Sequence, residues 1–158
     1  MPPTVTARLR KALGGVRRII LDTGVYLMAS DSSDRRQPCA AWLLDEIARG
    51  RFECTISTIS VAELLTGAVQ QGAVKAVAVQ SLLRRYPHLT IEPVSLDIAA
   101  DAAELRAATR LRLPDALIIA TASVTGLEAV LHGDRDWTRR AAPHVGGLRL
   151  LDLGEYCV

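Results

Sequence analysis

The chain has 158 residues, of which 49% are hydrophobic and 23% charged, and its formal net charge is +2. This length supports one globular domain with a proper core, and the composition excludes disordered, collagen-like and disulfide-rich miniature proteins. No apolar run approaches the ~20 residues needed to span a bilayer. The basic N-terminus is not followed by the apolar stretch of a secretory signal. So small a net charge does not by itself indicate a nucleic-acid partner.

The first part of the chain predicts two strands separated by a helix. Residues 1–16 contain Arg and Lys but no acid, and we interpret them as a basic N-terminal extension, a solvated arm ahead of a single domain at 17–158. Arg17 to Asp22 contains three consecutive aliphatic residues and predicts a short buried strand. Apolar residues at helical spacing predict an amphipathic helix from Pro38 to Arg49, and Phe52 to Ser57 predicts the second strand.

The rest of the chain alternates between helices and strands. Ser60 is predicted to cap a helix that contains Glu63, and the next helix is stopped at Pro87. The other predicted elements are helix 73–86, strand 89–94, helix 96–110, a helix from Asp115 to about Thr125 with Pro114 in its first turn, and strands 129–132 and 148–151. Such alternation predicts a parallel sheet covered by helices on both faces.

The three cysteines, Cys39, Cys54 and Cys157, are far apart in the sequence. Their odd number does not suggest a disulfide framework, and their spacing is not that of a zinc site. We therefore expect free thiols and a reducing cytoplasm.

Four acidic residues stand in apolar surroundings: Asp22, Glu63, Asp115 and Asp134. A carboxylate in such a setting is costly unless something pairs with it. Two of them follow strands and two begin helices, so all four can reach the edge of the sheet where the carboxyl ends of parallel strands meet. Converging carboxylates repel one another unless they are protonated or hold a hard cation. The pattern therefore predicts a site for Mg²⁺ or Mn²⁺.

The segments around these acids, LDTGVYL, SVAELLTG, PDALIIATA and HGDRDW, resemble in this order the four acidic motifs of PIN-domain ribonucleases, and above all VapC-type toxins of toxin–antitoxin modules. The resemblance implies a three-layer α/β/α sandwich with a short central parallel sheet. It also implies an endoribonuclease that depends on Mg²⁺ or Mn²⁺, forms a homodimer and is blocked by a cognate antitoxin.

By motif position, the resemblance assigns the catalytic and metal-binding acids to Asp22, Glu63, Asp115 and Asp134. Asp136 and Thr23 are expected to support these ligands without holding the ion. The sequence departs from the family at Gly24, where a small hydroxyl residue is common, and at His132, where Thr or Ser is common. An imidazole at position 132 could donate a hydrogen bond to the acids in place of the hydroxyl, or it could alter metal affinity.

Other functions explain the acids less well. Phosphatases that form an aspartyl phosphate require a second acid two residues after the nucleophile, where this chain has Gly24. Receiver domains require an adjacent acid pair and a late lysine, and the only lysines here are Lys11 and Lys75. A catalytically weak PIN-like RNA-binding or interaction module is the remaining alternative. We favour a cytoplasmic RNA endonuclease with Arg135 or Arg139 holding the RNA backbone at the rim.

Overall fold

The sheet of the protein consists of five parallel strands in the order β3-β2-β1-β4-β5. The structure, a computed structural model, describes the backbone of residues 3–157 and the side chains of residues 7–157. The strands are β1 (Arg18–Leu21), β2 (Glu53–Ser57), β3 (Leu89–Glu92), β4 (Ala129–His132) and β5 (Arg149–Asp152). The predicted parallel sheet is therefore confirmed, with strand bounds within two residues of those expected.

Helices connect the strands. They are α1 (Pro3–Ala12), α2 (Thr23–Ser30), α3 (Gln37–Ala48), α4 (Thr58–Gln70), α5 (Ala73–Arg85), α6 (Leu96–Thr109), α7 (Leu113–Val124), α8 (Arg135–Ala141) and α9 (Leu153–Tyr156), with a short 3₁₀ helix at Ala142–His144. Among the described residues, none of these helices has the length and apolar character that crossing a membrane requires.

The core lies in two apolar layers, one on each face of the sheet. Successive residues of a strand point to opposite faces, so Ile19 and Leu21 pack with α1, α2, α3 and α9, whereas Ile20 packs with α6, α7 and α8. This arrangement confirms the predicted three-layer α/β/α sandwich. It also explains why the central strands β1 and β4 are almost continuously apolar, since both of their faces are covered.

The connections fix where a ligand can bind. The chain runs outward from β1 through β2 to β3 and then returns to place β4 and β5 on the other side of β1. The strand order therefore reverses between β1 and β4. In open parallel sheets the crevice at such a reversal, outside the carboxyl ends of the strands, is the usual ligand site.

The N-terminal segment differs from the solvated arm that we expected. In the part of this segment that the structure describes, Leu9, Leu13 and Val16 are buried in the core layer that also contains residues of α3 and α9. The guanidinium of Arg10 also lies 5.3 Å from the centre of the Trp42 ring. The segment is basic on one side only, and the apolar side makes α1 part of the packed domain.

The expectation of free thiols was wrong for two of the three cysteines. Cys39 and Cys157 form a disulfide across 118 residues of sequence. The bond joins the start of α3 to the residue after α9, elements that share one core layer. Their separation along the chain gave no sign of this proximity. Cys54 is free and buried.

One helix start also differs from the prediction, and two short helices beside the acids were not predicted. The N-cap of α4 is Ser57, whose hydroxyl accepts a hydrogen bond from the Ile59 amide, and Ser60 lies buried inside the helix. The two short helices are α2 and α8. Asp22 and Asp134 cap them, so they begin at the acids singled out in the sequence.

Candidate active site

Asp22 lies at the carboxyl end of β1, beside the point where the strand order reverses. It is the N-cap of α2, and its Oδ2 accepts a hydrogen bond from the Gly24 amide at 3.3 Å. A Cβ atom at position 24 would lie 3.1 Å from the same oxygen, tighter than an ordinary contact. The glycine that departs from the family pattern thus leaves room for the Asp22 carboxylate.

Asp115 is the most buried of the four acids, with 7% of its surface exposed. It occupies the first turn of α7, where the helix dipole favours a negative charge. Arg112, which precedes this helix, donates two hydrogen bonds to it: Nε to Oδ2 and Nη2 to Oδ1, each 3.1 Å long. The sequence reasoning missed Arg112, although its spacing of three residues before a helical acid was a usable signal.

Glu63 points to the site from α4. Its Oε2 accepts a hydrogen bond from the Thr23 hydroxyl, which also lies 2.9 Å from the buried hydroxyl of Ser60. Ser60 and Glu63 are three residues apart and therefore share one side of the helix. The expected supporting position of Thr23 agrees with this geometry, and Ser60 joins it as a residue that sequence reasoning had assigned to a cap.

Asp22, Glu63 and Asp115, called here the acidic triad, act on one another electrostatically. The pKa of Asp22 is raised from 3.8 to about 6, first by burial, then by the charge of Asp115, and further by that of Glu63. Hydrogen bonds from the backbone amides of Gly24 and Thr23 oppose the rise. The pKa of the Arg112 guanidinium is raised above its usual value, chiefly by its bonds to Asp115 and also by Glu63 and Asp22. Arg112 therefore faces the whole triad.

Asp134 lies near the same edge of the sheet but in a different environment. Its side chain is exposed, and its Oδ1 accepts a hydrogen bond from the Asp136 amide at 2.9 Å as the cap of α8. The Asp136 carboxylate, which we expected to support the ligands, pairs with Arg139 at 3.1 Å and Arg140 at 3.7 Å. The charges of Asp115 and Glu63 therefore act on Asp22, whereas Asp134 lies exposed at the rim.

His132 does not replace the family's hydroxyl in the way we considered. The imidazole is fully buried, and its Nδ1 accepts a hydrogen bond from the Asp134 amide at 3.2 Å. Its Nε2 lies 3.2 Å from the Thr138 hydroxyl, and the ring stacks on Trp137 with centres 5.0 Å apart. Burial lowers the pKa of His132. A neutral ring suits an accepting Nδ1, so His132 holds the turn that presents Asp134.

The triad suits a hard divalent cation by its chemistry. Its donors are carboxylate oxygens, and its buried like charges are eased by a positive charge. Within residues 3–157, no group of three or more His, Cys, Asp or Glu side chains is already gathered as a ligand set. Mg²⁺ keeps several of its waters and needs only one or two carboxylates. Asp22 and Asp115 fit that modest requirement.

The class of fold that the geometry defines is a parallel α/β/α sandwich with acids at its strand-order reversal. The PIN domain family matches residues 19–143. The chain belongs to that family, which confirms the resemblance seen in the four acidic motifs. No match was found among curated proteins.

Solved structures of similar fold include several toxin–antitoxin proteins. A chain of a toxin–antitoxin complex from Klebsiella pneumoniae is 26% identical, with a TM-score of 0.60 over 82% of this chain and 94% of that one. FitAcB from Neisseria gonorrhoeae is 24% identical, with a TM-score of 0.65 over 86% and 98%. The sarcin–ricin loop cleaving toxin VapC20 of Mycobacterium tuberculosis is 20% identical, with a TM-score of 0.62 over 83% and 98%. At 24% and 20% identity, the last two show the fold alone.

Proposed function

We propose that this protein is an endoribonuclease that depends on Mg²⁺ or Mn²⁺ and is the toxin of a toxin–antitoxin pair. One observation carries the proposal. Asp22 lies at the strand-order reversal of a PIN domain, where the charges of Asp115 and Glu63 oppose its own, and repulsion of this kind favours a bound cation. Asp134, at the rim, is the proposed fourth acid of the site.

The proposed roles follow from burial and hydrogen bonding. Asp22 and Asp115 are the metal ligands, because they are the acids whose charges oppose each other most strongly. Glu63, oriented by Thr23, positions the attacking water and takes its proton. A bound divalent ion would lower the pKa of the water bound to it and would stabilise negative charge on the phosphate. Exposed Arg135 and Arg139 hold the RNA backbone, with Arg139 shared between RNA and Asp136.

The test of the nuclease is cleavage of a structured RNA by the purified chain. We expect products with Mg²⁺ or Mn²⁺ and none with EDTA, because the triad needs the cation. An Asp22→Asn preparation purified in parallel serves as the control for contaminating nucleases. Equal cleavage in chelator would contradict the metal mechanism. A folded chain with no cleavage in either buffer would favour the catalytically weak RNA-binding module.

The proposed antitoxin has a binding surface of suitable shape. A groove of about 460 Å³ runs between α2, α4 and α5, and apolar side chains dominate its lining. Leu27, Leu64 and Leu82 are among them. An apolar helix of the antitoxin would lie in this groove, and an arginine beyond that helix would form a bidentate pair with carboxylates of the triad. The structural neighbours include VapBC complexes from Rickettsia felis and Salmonella typhimurium.

Growth of cells tests the toxin role. Expression of the chain alone should slow growth, and co-expression with the small protein of the neighbouring reading frame should restore it. The C-terminal part of that protein should suffice. The matched control is Asp22→Asn, which should permit growth. Arrest by both forms, or by neither, would remove the case for a ribonuclease toxin.

We also propose a homodimer that acts in the cytoplasm; this location rests on the proposed RNA substrate and no longer on free thiols, since Cys39 and Cys157 are paired. Helix α5 presents apolar side chains to solvent, with Val74 87% and Val77 66% exposed. Sites of this kind are commonly covered by a second copy. Sedimentation at tens of micromolar should show a dimer, and a monomer alone would contradict this assignment.

A further inference from the structure

Arg112 is the one basic side chain that hydrogen-bonds the acidic triad among the contacts the structure describes. It stands at the N-cap position of α7 yet makes no capping hydrogen bond. Its guanidinium turns to Asp115 and meets both carboxylate oxygens in the fork geometry that Arg and carboxylate share. Helix capping therefore does not explain its position.

The two partners of this pair are placed very differently. The side chain of Asp115 is 9% exposed, whereas that of Arg112 is 75% exposed. The acid is fixed inside the site, and the guanidinium reaches it from solvent on a flexible stem. Ion pairs with an exposed partner contribute little to stability because water and salt screen them. The Arg112 side chain can thus move away from Asp115 at a small cost in free energy, whereas the buried Asp115 side chain stays in place.

The guanidinium and a metal ion compete for the same oxygens. Both Asp115 oxygens are engaged by Arg112, and a divalent cation bound to Asp115 needs at least one of them. The guanidinium also lies in the field of Glu63 and Asp22, so its single positive charge partly neutralises the whole triad. A second cation entering the site is repelled by Arg112 until it moves away.

We propose that Arg112 is a built-in, displaceable counter-ion of the acidic triad, which holds the site in the absence of metal and sets how tightly Mg²⁺ or Mn²⁺ binds. This inference rests on the proposed metal site. In this role Arg112 competes with the ion for Asp115, so its removal strengthens metal binding. Removal of a metal ligand has the opposite effect. Arg112 would also be the group that an arginine from an antitoxin replaces at Asp115.

The experiment is calorimetric titration of the full chain with Mn²⁺ at neutral pH. Four variants are compared with the wild type: Arg112→Gln, Arg112→Lys, Arg106→Gln and Asp22→Asn. Arg106 is an exposed arginine in the last turn of α6 and makes no described hydrogen bond or ion pair with the triad, so its replacement removes the same charge without removing a bond to Asp115. Lysine keeps the charge at position 112 but cannot form the two-pronged pair.

We expect Arg112→Gln to bind Mn²⁺ about fivefold more tightly than the wild type, the factor that corresponds to loss of an exposed ion pair. Arg112→Lys should fall between them, and Arg106→Gln should change the affinity less than about twofold, since an exposed charge that makes no bond to the triad is screened by water and salt. Asp22→Asn should lose most of the binding. In EDTA, Arg112→Gln should melt about 2–4 °C lower than Arg106→Gln.

Other results overturn the inference in separable ways. Equal affinity in Arg112→Gln and the wild type would show that the guanidinium does not compete. Weaker affinity would show that Arg112 positions Asp115 for the ion. An equal gain in Arg106→Gln would reduce the effect to net charge. Absence of Mn²⁺ binding in folded wild type and Arg112→Gln alike would remove the metal site itself, and with it the proposed function.

Discussion

Two acidic regions lie at the same edge of this sheet, and they differ in how their charges are managed. In the triad, Asp22 and Asp115 are largely removed from water and repel each other. At the start of α8, the N-cap Asp134 and the first-turn residue Asp136 are exposed; a backbone amide satisfies the first and arginines pair with the second. In the proposed site, burial of like charges therefore matters more than proximity to the edge alone, because a bound cation relieves repulsion between buried carboxylates.

The strongest test of this comparison replaces one acid from each region. Asp115→Asn should lower RNA cleavage by more than about a hundredfold, because loss of a direct ligand should exceed the 10–100-fold cost of losing a supporting contact. Asp136→Asn should stay within about twofold of the wild type, since its carboxylate already pairs with surface arginines. Initial cleavage rates at saturating Mg²⁺ measure both. Similar losses in the two variants would break the distinction between the regions.

Stability in EDTA tests the repulsion directly. The pKa of Asp22 is about 6 in the folded chain against 3.8 for an unperturbed group. Protonated Asp22 is thus favoured by folding, and its stabilising effect is complete below pH 3.8 and lost as the pH rises through 6. Asp22→Asn should unfold with a free energy higher by about 3 kcal/mol above pH 7, and the gap should close near pH 4.

Urea unfolding of both forms across this pH range gives the measurement. Asp136→Asn serves as the matched control and should show no comparable gap. If the free energies of unfolding of Asp22→Asn and the wild type differ by a constant amount from pH 4 to 8, burial and the neighbouring charges do not raise the pKa of Asp22 in the metal-free site.

Asp134 belongs to the exposed region but is the proposed fourth acid of the site, so its replacement tests whether that region takes part in cleavage. Asp134→Asn keeps an oxygen that can cap α8, so the turn should remain intact. If the exposed carboxylate joins the site when RNA and metal are bound, cleavage should fall about 10–100-fold. The Mn²⁺ affinity measured by calorimetry should fall less than in Asp115→Asn. A rate equal to that of the wild type would exclude Asp134 from the site.

The smallest expected effect concerns the Thr23 hydroxyl, which donates a hydrogen bond to Glu63. Thr23→Val removes the hydrogen bond to Glu63 with little change in volume, and cleavage should fall about tenfold. Thr138→Val removes the corresponding hydroxyl beside His132 and should leave cleavage nearly unchanged. The comparison needs only initial rates. An equal loss in both variants would mean that general loosening, and not the orientation of Glu63, slows the reaction.

Much of the fold could be predicted because its signals are local. Apolar runs defined the strands, and Pro87, Pro114 and Gly126 marked helix limits. The alternation of elements then limited the sheet to parallel pairing. The disulfide between Cys39 and Cys157 could not be predicted in this way, because it depends on how α9 packs against its neighbours. The packing of α1 was not predicted because its basic residues suggested a solvated arm, whereas the spacing of Leu9, Leu13 and Val16 indicates a buried side.

The sequence predicted where the acids lie along the strands and helices, but not how buried they are or which side chains contact them. Strand ends located Asp22 and Asp134 at one edge of the sheet and both cap helices, yet Asp22 is largely removed from water and Asp134 is exposed. The direction of the His132 ring and the pairing of Arg112 depend on side-chain rotamers. Sequence spacing permits these contacts but does not select them.

The disulfide gives the chain an unusual response to a cut in its backbone. The exposed turn at Gly72 joins α4 to α5 and lies between Cys39 and Cys157, and such turns are where proteases cut folded proteins. A single cut there separates Asp22 and Glu63 from Asp115 in sequence, but the two fragments stay covalently joined. The nicked protein would run as one band on a denaturing gel without reductant and as two bands with it.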